Sequence, residues 1–437
     1  MHRNSFAVAA SLALSGLLSI ATLGAADSAE NATPGAGNAL AIEISGKSAL
    51  VRSAKALIDR HIREMQNAQL RTATQDAVDN SATCVRHRAG LDAAAKAAII
   101  ERLKSERLVD PEDDGRFAGG LWAGIFPPLN ADGGDCPQLP QLFTSAPGSV
   151  FGGHHSYPGG LAIHEAFNLS SALNLAANYR HTYGHRGASG LPEVGLIDNS
   201  EATDNIAIDQ NITIAAPIWH DWAKTIVFQW TETGGEFAEL NFGGNGKTDK
   251  FGGDGNSKTG AHHILGVAET IKRGLPPPFV ITQASAHAAP AEGNEFMVVN
   301  WIRAAAVIAQ VDPVAAGYLI KDPQGRPRLP PLRRLAELPI QQSLPDEPNL
   351  LVEYVLHNLS DADHSFTGSA LSEVQIVLKA VAGRFGYDPA DTAVYNTQFR
   401  NAVLAHLSAE RLQILYVDGG VNAVVTEIER LKQAGII

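Results

Sequence analysis

Residues 212–230 read ITIAAPIWHDWAKTIVFQW. Three ionisable side chains, His220, Asp221 and Lys224, interrupt a stretch that is otherwise apolar enough to lie in a core. Ile218 and Trp219 precede them and Ile226-Val227-Phe228 follow, so the run places charged groups where burial is costly unless a cation or an ion pair compensates. The β-branched start, Ile212-Thr213-Ile214, leads into Pro217 and a helical pattern rather than into a strand. Strand signals are equally weak elsewhere, and the expected fold is all-α. On a helix, neighbouring His and Asp point about 100° apart, so both reach one ion only from a well-placed helix.

Four other places in the central region carry residues of ligating type. His154-His155-Ser156-Tyr157-Pro158-Gly159-Gly160 forms a turn, after which a helix bearing Leu161, Phe167 and Leu169 starts with His164 in its first turns. Ala261-His262-His263-Ile264 opens a second helix. His287 ends the stretch Phe279–Ala289, and Asp312 closes the apolar helix expected from Phe296 to Val311. Imidazoles mixed with carboxylates suit Zn, Mn or Fe better than a calcium cage.

The order His164, His220-Asp221, His262, His287, Asp312 resembles the metal-ligand order of the HD-domain phosphohydrolase superfamily. The likeness is closest to members with His-His-x-Tyr-x-Gly-Gly-Leu-x-x-His ahead of His-Asp-x-x-Lys, here His154 to His164 and His220 to Lys224, and it covers about residues 153–320. The resemblance implies that His164, His220, Asp221 and Asp312 hold one metal, and that His262 and His287 add the ligands of dinuclear members. Gly266, four residues on, favours His262 over His263. Asp221 would bridge two ions of Fe, Mn or Zn and, with Lys224 as a phosphate contact, carry catalysis. A metal-dependent phosphohydrolase or phosphodiesterase acting on a small phosphorylated substrate is the implied activity. The same ligand set also serves di-iron oxygenases, and a non-catalytic metal- or ligand-binding protein of the cell envelope is the third reading.

Two features depart from that pattern. A glycine-rich stretch, Gly234–Gly260, separates the His-Asp helix from His262 and reads as a lid or an ordinary surface excursion; Gly386-Tyr387-Asp388-Pro389 is not a Gly-Tyr-Pro signature. His154 and His155 are expected to structure their turn or orient a ligand. The stretch His357–His364 reads as a solvated loop between helices, with a second metal cluster as the alternative. Other chemistries lack their residues: Asn168 stands where the second histidine of a zincin belongs, Asn241 where a phosphate loop needs glycine, and no Gly-x-Ser-x-Gly occurs.

At the start of the chain Arg3, the apolar run Phe6–Leu23 and Gly24-Ala25-Ala26 read as a cleaved signal peptide over residues 1–26, with a membrane anchor as the alternative. An exported protein, periplasmic or secreted, with no membrane span after cleavage is expected. Beyond residue 26 there are 33 basic and 46 acidic residues, an excess that repels long nucleic acid but leaves a metal-held small anion acceptable. The two cysteines, Cys84 and Cys136, form one disulfide in an oxidising compartment or stand as separate thiols. The expected organisation is a helical and loop extension at 27–150, its first residues to 40 a disordered lead-in; a metal-binding core at 151–322; a Pro-rich linker at 323–349; and a helical region at 350–437.

Overall fold

The stretch that opens the chain's central motif folds as two short helices joined by a break, and the rest of the molecule is arranged around it. The structure, a computed structural model, describes residues 33–195, 206–291, 293–331 and 351–437. The expected signal peptide and most of the expected Pro-rich linker lie outside the described residues.

The chain is mostly helical, in the order α1 (Asn38–Lys47), α2 (Ala49–Glu64), α3 (Ala68–Asp79), α4 (Ala93–Ser105), α5 (Asp113–Arg116), α6 (Gly120–Ile125), α7 (Gly160–Tyr179), α8 (Gln210–His220), α9 (Lys224–Val227), α10 (Ala261–Lys272), α11 (Pro277–Ala284), α12 (Glu295–Ala309), α13 (Val352–Ser360), α14 (His364–Val381), α15 (Thr392–Val394), α16 (Asn401–Leu407) and α17 (Ala409–Gln433). Among the described residues the sheets are two antiparallel pairs of two-residue strands, Asn241–Phe242 with Thr259–Gly260 and Ile320–Lys321 with Pro327–Arg328. The all-α expectation holds. No helix among the described residues is long and apolar enough to cross a membrane.

Local chemistry sets the helix starts. Ser48, Asn67, Asp92 and Asp209 each accept a hydrogen bond from a backbone N–H in the first turn of α2, α3, α4 and α8. The Gly159-Gly160 turn before α7 is a steric necessity. Gly159 has φ +83°, and a Cβ on Gly160 would lie 1.9 Å from the His155 carbonyl oxygen.

Buried tryptophans anchor α8 to α3. Trp219 Nε1 donates to Thr74 Oγ1 at 2.9 Å and Trp222 Nε1 to the Ala77 carbonyl at 2.9 Å, so neither indole is left unsatisfied in the core. The principal core runs through α2, α3, α4, α7, α8, α10, α11 and α12. A second apolar cluster joins α14, α16 and α17 around Leu371, Leu378, Phe399, Leu412 and Ile428. It is docked on the first by Arg400, which donates to the Ser156 carbonyl at 3.0 Å, and by Ser48 Oγ, which donates to the Ala405 carbonyl at 2.7 Å.

Two expectations are corrected here and a third is narrowed. Residues 33–40 are no disordered lead-in: Gly35 and Gly37 donate to the Trp230 carbonyl at 3.0 and 2.9 Å and α1 follows at once. Of the two readings of the glycine-rich stretch, its contacts favour the ordinary excursion. Its turn is knotted around Asp249, which accepts from the backbone of Asn245, Gly246 and Ser257 at 2.8, 3.0 and 2.8 Å, and Asn300 of α12 holds the Asp249 carbonyl at 3.0 Å. The stretch His357–His364 is no solvated loop; it ends α13 and enters the interior.

Cys84 and Cys136 form a disulfide, with a backbone hydrogen bond from Val85 N to the Pro137 carbonyl at 2.8 Å beside it. The bridge closes a loop over a sequence separation of 52. The chain-entropy model gives such a loop about 4 kcal/mol of stabilisation. Replacing both cysteines by serine is therefore expected to lower the urea midpoint by that equivalent. A midpoint unmoved by the double substitution would assign the holding of this region to its hydrogen bonds alone.

Candidate metal centre

Asp221 is where the helix stops. Pro217 lies inside α8, His220 is the last helical residue, and Asp221 sits just beyond it at φ −104°, ψ 1°. Leaving the helix frees Asp221 from the 100° separation that two successive helical residues would keep, and both side chains reach the same buried point. Lys224 then starts α9, its N–H donating to the Asp221 carbonyl at 2.8 Å.

Two groups of ligating atoms share Asp221. In the first, His164 Nε2 lies 3.2 Å from Asp221 Oδ2 and 3.3 Å from Asp361 Oδ1. His220 Nε2 lies 3.4 and 3.2 Å from the same two oxygens. In the second, His262 Nε2 lies 3.1 Å from Asp221 Oδ1, and Asp221, His262 and His287 each bring one such atom within 4.8 Å of the others. Ligands bonded to one ion at about 2.1 Å are separated from each other by about 3.0–3.4 Å in octahedral or tetrahedral arrangement. The four separations of the first group and that of His262 from Asp221 fall in that interval, and His287 stands within the wider 4.8 Å.

The orientation of the rings is set from behind. His220 Nδ1 donates to the Pro217 carbonyl at 2.7 Å, His262 Nδ1 lies 2.7 Å from Glu239 Oε2, and His287 Nδ1 lies 2.8 Å from Thr259 Oγ1. With Nδ1 occupied, Nε2 is the nitrogen each ring turns to the centre, the arrangement metal-bound histidines require. His262 Nε2 and Asp221 Oδ1 are buried and make no hydrogen bond, although they are neighbours. Two buried atoms that touch without bonding fit a shared cation, and the residues present therefore suit one.

The electrostatics agree. Burial alone would lower the imidazoles of His164 and His220, but Asp221 and Asp361 on the first, and Asp221, Glu165 and Asp361 on the second, outweigh it and hold them at about 9 and about 10. That is the signature of a strongly negative field at the point where the Nε2 atoms meet. Burial pushes the carboxyl of Glu165, behind His220, up to about 7. His287 is open to the cavity yet ringed by protein, which together with His262 lowers it to about 4.

The structure brings together His164, His220, Asp221, His262 and His287 and leaves out Asp312. Asp312 is exposed just beyond α12, where it accepts from the N–H of Val314 and Ala315 at 2.9 and 3.1 Å and so caps a turn. The carboxylate in the position expected for it is Asp361, from the His357–His364 stretch, whose favoured reading from sequence is a solvated loop. His263, next to His262, faces away: its ring stacks on His287 at 4.4 Å and its Nε2 lies 3.2 Å from the Ala284 carbonyl. His357 is also buried beside the centre, its ring 5.0 Å from that of His220.

A cavity of about 460 Å³ opens on this group, lined among others by Asp221, Lys224, Glu239, His262, His287 and Asp361 and by Ser149, His154, Asn358 and His364. Lys224 Nζ donates to Asp221 Oδ2 and to the Gly148 carbonyl. The helical region after residue 350 supplies Asp361, Asn358 and His364, so the centre is not contained within residues 151–322 as expected. No protein-family model, no curated protein and no solved structure matches the chain.

Proposed function

We propose that the protein is a metal-dependent phosphohydrolase of the HD type, with two divalent cations, Fe, Mn or Zn, in the groups that share Asp221. The observation that carries this reading is the set of five ligand separations between 3.1 and 3.4 Å on either side of one carboxylate. Held by these residues, two such cations would supply an activated water near neutral pH and offset charge on phosphoryl oxygens.

The chain's own residues do the rest. Asp221 gives Oδ2 to one group and Oδ1 to the other, which fixes the spacing of the two sites. Lys224 has three N–H donors, of which Asp221 and the Gly148 carbonyl take two; the third is left for an anion in the cavity. The cavity wall combines Lys224 and histidines with the acidic Asp221, Glu239 and Asp361, so a phosphorylated substrate would be held through the cations and Lys224. The disulfide fits an oxidising compartment and with it the expectation of export.

Metal-loaded protein is expected to turn over a generic phosphomonoester or phosphodiester, and Asp221→Asn to cut turnover by on the order of 10³-fold while keeping the fold. Elemental analysis and a phosphate-release assay on both proteins check this. Two bound irons with oxygen consumption and no phosphate release would replace the hydrolase by an oxygenase on the same ligands. Absence of tight metal would reduce the chain to a binding module.

A further inference from the structure

We infer that His154, His155 and His164 form a third cation site, suited to Zn²⁺ or Cu²⁺, alongside the two groups that share Asp221. Each of the three side chains brings a ring nitrogen within 4.8 Å of the other two. Their rings are close, at 4.8 Å between His154 and His164 and 5.2 Å between His155 and His164. The Nδ1 atom of all three is buried and has no hydrogen-bond partner. His155 and His164 are themselves 2% and 0% exposed, so solvent does not satisfy them.

The Nε2 atoms of His155 and His164 face carboxylates. His155 Nε2 lies 3.3 Å from the Glu410 carboxylate, and His164 Nε2 faces Asp221 and Asp361. A carboxylate behind a histidine that turns its opposite nitrogen to an ion is the usual support of a metal-bound imidazole. Three imidazoles with no carboxylate make a softer donor set than the two mixed groups, which favours Zn²⁺ or Cu²⁺ over Mg²⁺ or Mn²⁺. His154 also lines the cavity, which gives an ion a route in. His164 would then serve two ions, one at each ring nitrogen, and the last ring proton would leave to solvent as the second ion binds.

The backbone is built to hold this turn. His155 has φ +50°, and its carbonyl accepts from Gly148 N and Tyr157 N, both at 2.8 Å. Asparagine tolerates that conformation well, so His155→Asn removes the imidazole with least disturbance.

The test is the number of Zn²⁺ ions taken up per chain by metal-free protein, for wild type, His155→Asn and, as a milder change at the cavity wall, His154→Gln, with thermal melts to show that each is folded. Three equivalents in wild type and two in the variants are expected. Equal counts in wild type and both variants overturn the third site, and two throughout would leave the dinuclear reading standing. One equivalent in wild type that both variants lose would support the triad and remove the dinuclear reading instead.

Discussion

Asp361→Asn is expected to weaken metal binding at the first group by at least about 100-fold, since changing even an outer-shell partner of a metal ligand costs 10–100-fold. The substitution keeps the shape of the side chain and takes away the charge that lies 3.3 Å from His164 Nε2 and 3.2 Å from His220 Nε2. Those two histidines and Asp221 would remain, so the ion is weakened rather than excluded, and the second group, which does not use Asp361, is expected to keep its ion. Asp312→Asn is the control. Asparagine can still accept from Val314 N and Ala315 N at the exposed turn, and metal binding should be unchanged. Metal dissociation constants measured by competition with a chromophoric chelator separate the two. Weakened binding in Asp312→Asn with intact binding in Asp361→Asn would mean that the last acidic ligand is Asp312 and not Asp361.

The exchange of Asp312 for Asp361 marks where the sequence stops being legible. Apolar runs with helical spacing, the His-Asp pair inside one of them, and the Pro-Gly-Gly turn before His164 are local features, and each corresponds to a helix or a site residue in the fold. Assigning the last acidic ligand depends instead on where a helix end points. Gln310, at φ +54°, ends α12 in a left-handed turn and sends Asp312 to the surface. The stretch that does reach the centre, from Glu353 to Asp361, was obscured by its polarity. Its buried residues are Glu353, Tyr354, Leu356, His357, Ser360 and Asp361, which is helical spacing carried largely by polar side chains. A hydropathy pattern reports a buried stripe only when the stripe is apolar. Here the helix packs its polar stripe against other polar groups at the centre, so the periodicity was present and its meaning was inverted. The two readings of the glycine-rich stretch stay open in the sequence for a related reason. Composition suggests mobility, whereas one carboxylate, Asp249, collects enough backbone donors to fix the turn.

Removing Glu269 is expected to have a large effect on stability, about 3 kcal/mol for Glu269→Ala, because it leaves the buried Arg273 with Asp76 as its remaining carboxylate partner. Glu269 stands two turns after His262 on α10, is fully buried, and accepts from Arg273 Nε at 2.7 Å, from His87 Nδ1 at 2.8 Å and from the backbone of Arg86 and His87, both at 3.1 Å. Burial leaves His87 below its ordinary value, so it is a neutral donor and Arg273 is the charged partner. Arg273 reaches on to Asp76, Thr83 and the carbonyl of Cys84, which ties α10 to α3 and to the disulfide. Burial opposes ionisation of Glu269, but His87 and Arg273 prevail and draw its carboxyl from 4.5 down to about 2. A carboxyl whose folded value lies below its unfolded value stabilises the fold fully above the unfolded value, and that contribution fades as pH falls from about 4.5 towards 2. Urea unfolding of chelator-treated wild type and variant at pH 7 and pH 3 checks both the size and the sign. The gap should be widest at pH 7 and shrink at pH 3, as wild type loses what the variant never had. A gap that stays constant between the two would assign the loss to the cavity left by the side chain, and the helix that presents His262 would then be held by packing and not by charge.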